Sequence, residues 1–442
     1  MKISLNTGQG DPERDRARAR AVGALAQLGH GVPGPGTAGT PAAAAQVASQ
    51  AVMTIVAEAL GSREEQPMRE LKTLLLFGLM TAFGCGGSSN NNGGTVQFTA
   101  SGEVFALAGY DFPRAVGSNN PVFVDGWQIV FDELLVTFDN ITLAENPDKS
   151  SNQALTDQVV AQVTGPWAID LHKGGPLPGK GGGNEQALWV TTVSNQNKNG
   201  KKPFDEKRYA FSFDIVRATL SAQRLNFDAT NNADYATMVT NGWTVFYSGT
   251  ATFRGTGCTT QPASTNYPFG LPPMGPVGTT VKFKFGFASP TSYINCQNPD
   301  NSGAPLAGEL HQRGVQIKNN QTTIAQATLH TGHPFWESFN RDSPPHFDQL
   351  ASRAQNVAGT YIVTLNDVIS DQYTGLTDAQ NRALPWRICD PTYHPIDSAP
   401  TMHFDDTGLP QPNPSYAAFM TYNQSTQGHL NADGLCAVQR HY

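Results

Sequence analysis

Val281, Phe283, Phe285 and Phe287 alternate with Lys282, Lys284 and Gly286, and an alternation this strict leaves a chain few choices. With two residues per repeat, all four apolar side chains share one face of an extended strand. That face must be buried while the lysine face stays wet. The same period recurs at Tyr209, Phe211, Phe213 and Ile215, set against Ala210, Ser212 and Asp214. The stretch from Trp127 to Leu143 is longer and changes phase: Trp127, Ile129 and Phe131 share one parity, Leu134, Val136 and Phe138 the other. Both sets can face one core only if the strand bulges or breaks near Asp132 and Glu133. Further strands read from Thr95 onward, at Trp167 to Leu171, Trp243 to Phe253, Val315 to Ile317, Thr322 to His330 and Tyr361 to Leu365. Short strands separated by turn residues predict a mainly β chain, an antiparallel sandwich or jelly-roll-like body with short helices. The helices are expected at Tyr235 to Thr240, capped by Asp234 and ended by Asn241-Gly242, and at Pro334 to Phe339 and Pro345 to Ala354.

The N-terminal part obeys different rules. Residues 1–67 mix an arginine-rich run with Gly/Pro-rich and alanine-rich segments and are expected to carry no folded function, either as a disordered extension or because the working chain starts at Met68. In 68–84, Arg69 and Lys72 precede an apolar run from Leu74 to Phe83, and Gly84 stands before Cys85. A positive head, a short apolar centre and a small residue are the parts of an export signal, and the run is too short to span a bilayer. Because it ends at cysteine it resembles a bacterial lipoprotein signal, although Ala82 and Phe83 replace the usual leucine and small residue. That resemblance implies lipidation of Cys85, a flexible tether over 85–94 and a body anchored to membrane in the cell envelope, on the outer membrane facing periplasm or cell surface. The Gly/Ser/Asn run after Cys85 fits a tether.

From Cys85 onward some 358 residues remain, enough for a sizeable core. They divide on pattern into a β body over 95–365 and a loop-rich region over 366–442. The net charge of -7, with no Lys/Arg cluster in the exported part, argues against nucleic acid as a partner. Apart from Cys85, four cysteines remain. Cys258, Cys296, Cys389 and Cys436 show no Cys-x-x-Cys spacing and are expected to form disulfides that staple the C-terminal region. Of the three possible pairings, Cys258 with Cys296 and Cys389 with Cys436 close the shortest loops, roughly 40 residues each, for about 3 to 4 kcal/mol apiece.

Histidine is sparse until about residue 300 and then clusters. His330 and His333 stand three apart at a strand-to-helix corner, where two imidazoles can reach one ion, with a third ligand from His311, His346 or Asp348. Imidazole suits copper or zinc. Competing with this is a structural reading in which His330 ends a strand, His333 caps the following short helix and Trp336 fills the core. Asp228, Thr230, Asn232 and Asp234 alternate like a calcium loop, yet Ala233 stands where glycine belongs and Val239 where an acid belongs, so a turn with a helix cap fits better. Gly174, Gly179 and Lys180 lack the Ser/Thr and the helix of a phosphate loop. Asp132, Glu133, Asp170 and Asp214 could pair as glycosidase carboxylates, but solvated strand residues look the same.

The blocks Asp125 to Val136, Trp167 to Gly175, His311 to Gln316 and His330 to Trp336 resemble those of uncharacterised lipoproteins from predatory and soil-dwelling bacteria, over roughly residues 100–360. The resemblance implies no established activity and places the histidine block in that family's core. With no Gly-x-Ser-x-Gly elbow and no His-Glu-x-x-His, the expectation is a lipid-anchored envelope protein with a binding or structural role, binding copper or zinc through histidines. The alternatives are an envelope hydrolase whose site is assembled from distant loops, and an adhesion or scaffold protein.

Overall fold

A computed structural model describes residues 93–442, apart from 264–265, 341, 406 and 410–414. Residues 1–67, the signal segment 68–84 and Cys85 lie outside the described residues. Twelve strands position the site. They are β1 (Thr95–Ser101), β2 (Trp127–Ala144), β3 (Gln186–Val193), β4 (Arg208–Ile215), β5 (Val245–Phe253) and β6 (Thr280–Phe287). β7 (Thr291–Ile294), β8 (Thr322–Leu329), β9 (Thr360–Thr364), β10 (Gly428–Leu430), β11 (Gly434–Leu435) and β12 (Ala437–Arg440) follow. The smaller sheet runs β11-β10-β8-β1-β3 and the larger carries β9-β6-β5-β2-β4-β7-β12 along its main path. The chain is therefore mainly β. Most pairings are antiparallel, but β1 with β8 and β6 with β9 are parallel. The loop-rich C-terminal region ends in strands that belong to both sheets, β10 and β11 in one and β12 in the other.

The phase slip in β2 is real. Its register against β5 shifts between Phe131 and Glu133, and Trp127, Ile129, Phe131, Leu134, Val136 and Phe138 all lie in one core. The bulge thus keeps two out-of-phase apolar sets on one face. Leu135, turned the other way, is covered by a helix, α2 (Ala229–Asn241), whose Tyr235 and Met238 pack on it with Phe246. β6 buries Val281, Phe283, Phe285 and Phe287 completely. On its other face Gly286 leaves room for the Trp243 ring, which a Cβ there would meet at 2.0 Å. The two sheets share the main core, with Phe98 of β1 against Phe211 of β4 at 5.9 Å between ring centres.

Local corrections follow from capping and pairing. The helix expected at Tyr235 begins six residues earlier, because Asp228, not Asp234, accepts from the Thr230 and Asn231 N–H groups in a capping box, and Gly242 ends it in the left-handed conformation. Helical geometry also disposes of the calcium loop, since Asp228 is spent on the cap and its salt bridge to Lys173. Pro334 sits in a single 3-10 turn, His333–Phe335, and the helix predicted from Pro345 is the short α3 (Asp348–Ser352). Between β1 and β2 in the chain stands another short helix, α1 (Glu103–Ala108), and α4 (Tyr416–Gln424) precedes β10.

All four downstream cysteines form disulfides, but the pairing is Cys258 with Cys389 and Cys296 with Cys436, not the two short loops expected. Strand register decides this. Thr259 pairs with Ile388, so the next positions outward, Cys258 and Cys389, face each other. Likewise Ile294 pairs with Ala437, which brings Cys296 to Cys436. Among the described residues no helix is long and apolar enough to cross a membrane.

Candidate metal centre

Three strands of the smaller sheet meet at one corner. In parallel register Ser101 of β1 faces Thr328 of β8, and on the other side of β8 the antiparallel partner of Thr328 is His429 of β10. His330 leaves the end of β8, its N–H donating to Gln427 O at 3.0 Å. The turn that follows is pinned by Thr331, whose hydroxyl meets Tyr110 OH at 2.8 Å, and delivers His333 in the 3-10 turn. The result is a convergence of His330, His333 and His429, whose candidate ligand atoms lie within 4.8 Å of one another. The rings of His330 and His429 stack at 4.0 Å, and His333 stands edge-on to both.

His333 shows how the corner is poised. The Thr426 hydroxyl, just beyond α4, donates to Asn423 O at 2.7 Å, and therefore accepts from His333 Nδ1 at 2.7 Å. The ring is thereby set as the Nδ1–H tautomer. Its Nε2 keeps a lone pair, is buried, and meets no hydrogen-bond partner. A buried acceptor left bare costs about 1–3 kcal/mol unless something takes it up. Burial, reinforced by His330 and His429, holds the His333 pKa well below the ordinary imidazole value, so the ring is neutral as a metal ligand requires. Trp336 lies over it at 3.7 Å.

Glu103, at the start of α1, brings a carboxylate to the same corner, with Oε1 3.2 Å from His330 Nε2. His330 Nε2 also faces Ala432 O at 3.1 Å. The Glu103 backbone has φ 61°, a left-handed conformation that a residue with a Cβ adopts at a cost of about 1 kcal/mol. His330, His333, Glu103 and Trp336 form part of the wall of a cavity of about 660 Å³, so one side of the corner is open rather than sealed.

The other expected ligands are elsewhere. His346 is buried in a separate network, its Nε2 2.7 Å from Glu337 Oε2 and its Nδ1 3.8 Å from Asp125 Oδ2. Asp348 is bound by Arg387 and by Trp127 Nε1 at 2.7 Å. His311 faces Asp433 at 3.6 Å. The third imidazole is His429, about 100 residues beyond His330, and no local pattern marks it except its place in the histidine-rich C-terminal third. Glu103 gave no signal at all, because only the β1–β8 register brings it to His330. Of the carboxylates considered for glycoside chemistry, Glu133 and Asp170 do converge, on Asn231 Nδ2 at 2.6 and 3.1 Å. That amide and Lys173 tie them into the cap of α2.

Several buried carboxyls hold protons far above their usual range. Burial, with Glu185 and Asp433 adding, pushes Glu103 up to about 8, and burial with the neighbouring Asp234 pushes Glu133 up to about 7. Unfolded glutamates lose their protons near pH 4.3, so on raising the pH the unfolded state is favoured until the folded groups ionise. His346, raised by Glu337 against the effect of burial, acts in the same direction. His333 opposes, but only below about pH 6.5, where the unfolded imidazole takes up a proton. Metal-free protein is therefore expected to lose melting temperature steadily from pH 6.5 to pH 8, each group contributing up to about 1.4 kcal/mol per pH unit. Scanning calorimetry in a chelator that gives a flat or rising trend over that window would contradict the protonated carboxyls.

No protein-family profile, curated protein or solved structure matches the chain, so the functional reading rests on the geometry of this corner.

Proposed function

We propose that the protein is a lipid-anchored envelope protein whose β body binds a transition-metal ion, copper or zinc, through His330, His333 and His429. The observation that carries the reading is the buried, partnerless Nε2 of His333, on an imidazole that converges with two others so that their candidate ligand atoms lie within 4.8 Å of one another. Three neutral nitrogens and one open direction suit a four-coordinate ion that keeps a place for water or an exogenous ligand. The neighbouring cavity supplies an entry path and makes the ion exchangeable, unlike a sealed structural zinc. Anchoring is supported by the signal-like run ending at Cys85.

Metal analysis of the purified protein after loading with zinc or cuprous ion is expected to give one ion per chain. The variants His333→Ala and His429→Ala should bind none stoichiometrically, while His311→Ala and His346→Asn should still bind. Equal metal content in parent and His333→Ala would remove the reading. For the anchor, Cys85→Ser is expected to move the protein from the membrane to the soluble fraction on cell fractionation.

A further inference from the structure

We propose that Glu103 is a positioning residue of this centre, a carboxylate that holds His330 by its Nε2 edge and makes the three-imidazole corner select a divalent over a cuprous ion. The inference rests on the three-histidine reading and deepens it by naming the class of ion.

β1 and β8 run parallel with Ser101 beside Thr328, and each chain then continues two residues, to Glu103 and to His330, which meet at 3.2 Å. The contact is therefore built by the sheet and not by a chance rotamer at the surface. On His330, Glu103 Oε1 and Ala432 O face Nε2. The Ala432 carbonyl can only accept, so the proton belongs on Nε2, and an ion would take His330 through Nδ1. A metal-bound histidine is commonly held this way, its far N–H given to a carboxylate or carbonyl that sets the tautomer and raises ligand basicity. His333 has the matching arrangement with Thr426.

The backbone points the same way. Glu103 is the first residue of α1 and acidic side chains suit that place, but a helix start does not call for φ 61°. Its side chain makes no cap bond; the cap contact of this turn is Glu103 N–H to Ser101 Oγ at 3.0 Å. A strained residue whose side chain ends on a ligand is the kind of outlier found where geometry serves a site.

Charge supplies the selectivity. Three neutral imidazoles compensate none of an ion's charge, and leaving a double positive charge uncompensated in a mostly buried corner is far costlier than a single one. Glu103, 3.2 Å from His330 Nε2, holds a proton up to about pH 8 in the metal-free protein, and a bound dication would expel that proton and leave a carboxylate beside the ion. Glu185 is engaged instead by Gly181 N–H and Gln326 Nε2, and Asp433 stands against His311.

The test uses the whole protein and two variants, Glu103→Gln, which keeps shape and loses charge, and Glu103→Gly, which removes the side chain and relieves the left-handed backbone. Zinc and cobalt(II) affinities are measured by competition with a chromophoric chelator, and cuprous affinity by competition with a cuprous chelator. Both variants are expected to weaken zinc and cobalt binding about 10- to 100-fold while cuprous affinity moves by less than about threefold. Glu103→Gly should also melt higher than the parent when metal-free, which a purely stabilising role for Glu103 does not allow. If Glu103→Gln binds zinc as tightly as the parent, or loses zinc and cuprous affinity equally, the inference is overturned while the three-histidine reading stands. If the parent itself binds no ion, both fall together.

Discussion

Arg387→Ala is expected to destabilise the protein by about 3 to 5 kcal/mol, the usual penalty for leaving a buried charge without its partner. The guanidinium and its carboxylate are both almost fully enclosed, with side-chain exposures of 3% and 0%. Arg387 Nε donates to Asp348 Oδ2 at 2.9 Å, a second N–H reaches Oδ1, and Nη1 donates to Met274 O at 2.7 Å. The cation also lies 4.0 Å from the Phe253 ring centre and 4.7 Å from that of Phe269, contacts worth more when desolvated. Burial and the nearby Asp125 already push the Asp348 pKa up against the pull of Arg387, so removing the guanidinium leaves a carboxyl that can remain in place only by taking a proton. The loss is therefore expected to grow with pH. A double replacement, Arg387→Met with Asp348→Leu, should lose much less than Arg387→Ala, because it deletes both charges and keeps the volume. Urea denaturation at pH 7.5 decides the matter, and a loss below about 1 kcal/mol for Arg387→Ala would show that the pair is not the anchor described here.

The second large effect concerns the bridges. Cys258–Cys389 spans a sequence separation of 131 and Cys296–Cys436 one of 140. Loop entropy for such spans gives about 5 kcal/mol each, against about 4 for the short loops expected from spacing. Replacing Cys258 and Cys389 together by serine should lower stability by about 4 to 5 kcal/mol in chemical denaturation. The bridge also braces the cavity wall: beside it, Cys389 and Asp390 N–H both donate to Val124 O, at 2.9 and 3.1 Å, and Val124 and Asp390 line the cavity next to His333. Metal affinity is accordingly expected to weaken in the same variant. Peptide mapping without reduction checks the connectivity, and recovery of a Cys258–Cys296 peptide would overturn it. A stability loss under about 1 kcal/mol would show that the reduced chain keeps the two ends together by other contacts.

What the sequence determined on its own is whatever repeats over a few residues. The alternation at Phe283 and Phe285 gave a strand and its buried face, the parity change across Asp132 and Glu133 gave the bulge in β2, and the spacing of His330 and His333 placed two imidazoles at one turn. It also yielded the set of bridged cysteines, since an even number without metal spacing leaves little else. Pairing, in contrast, was decided by the tertiary structure. His429, Glu103 and the partner of each cysteine arrive through strand registers between segments some 100 to 230 residues apart. A strand's own pattern says which face is buried but not which neighbour lies beside it. That choice comes from packing the whole core, and the third imidazole, the carboxylate on His330 and the long disulfide loops are its products.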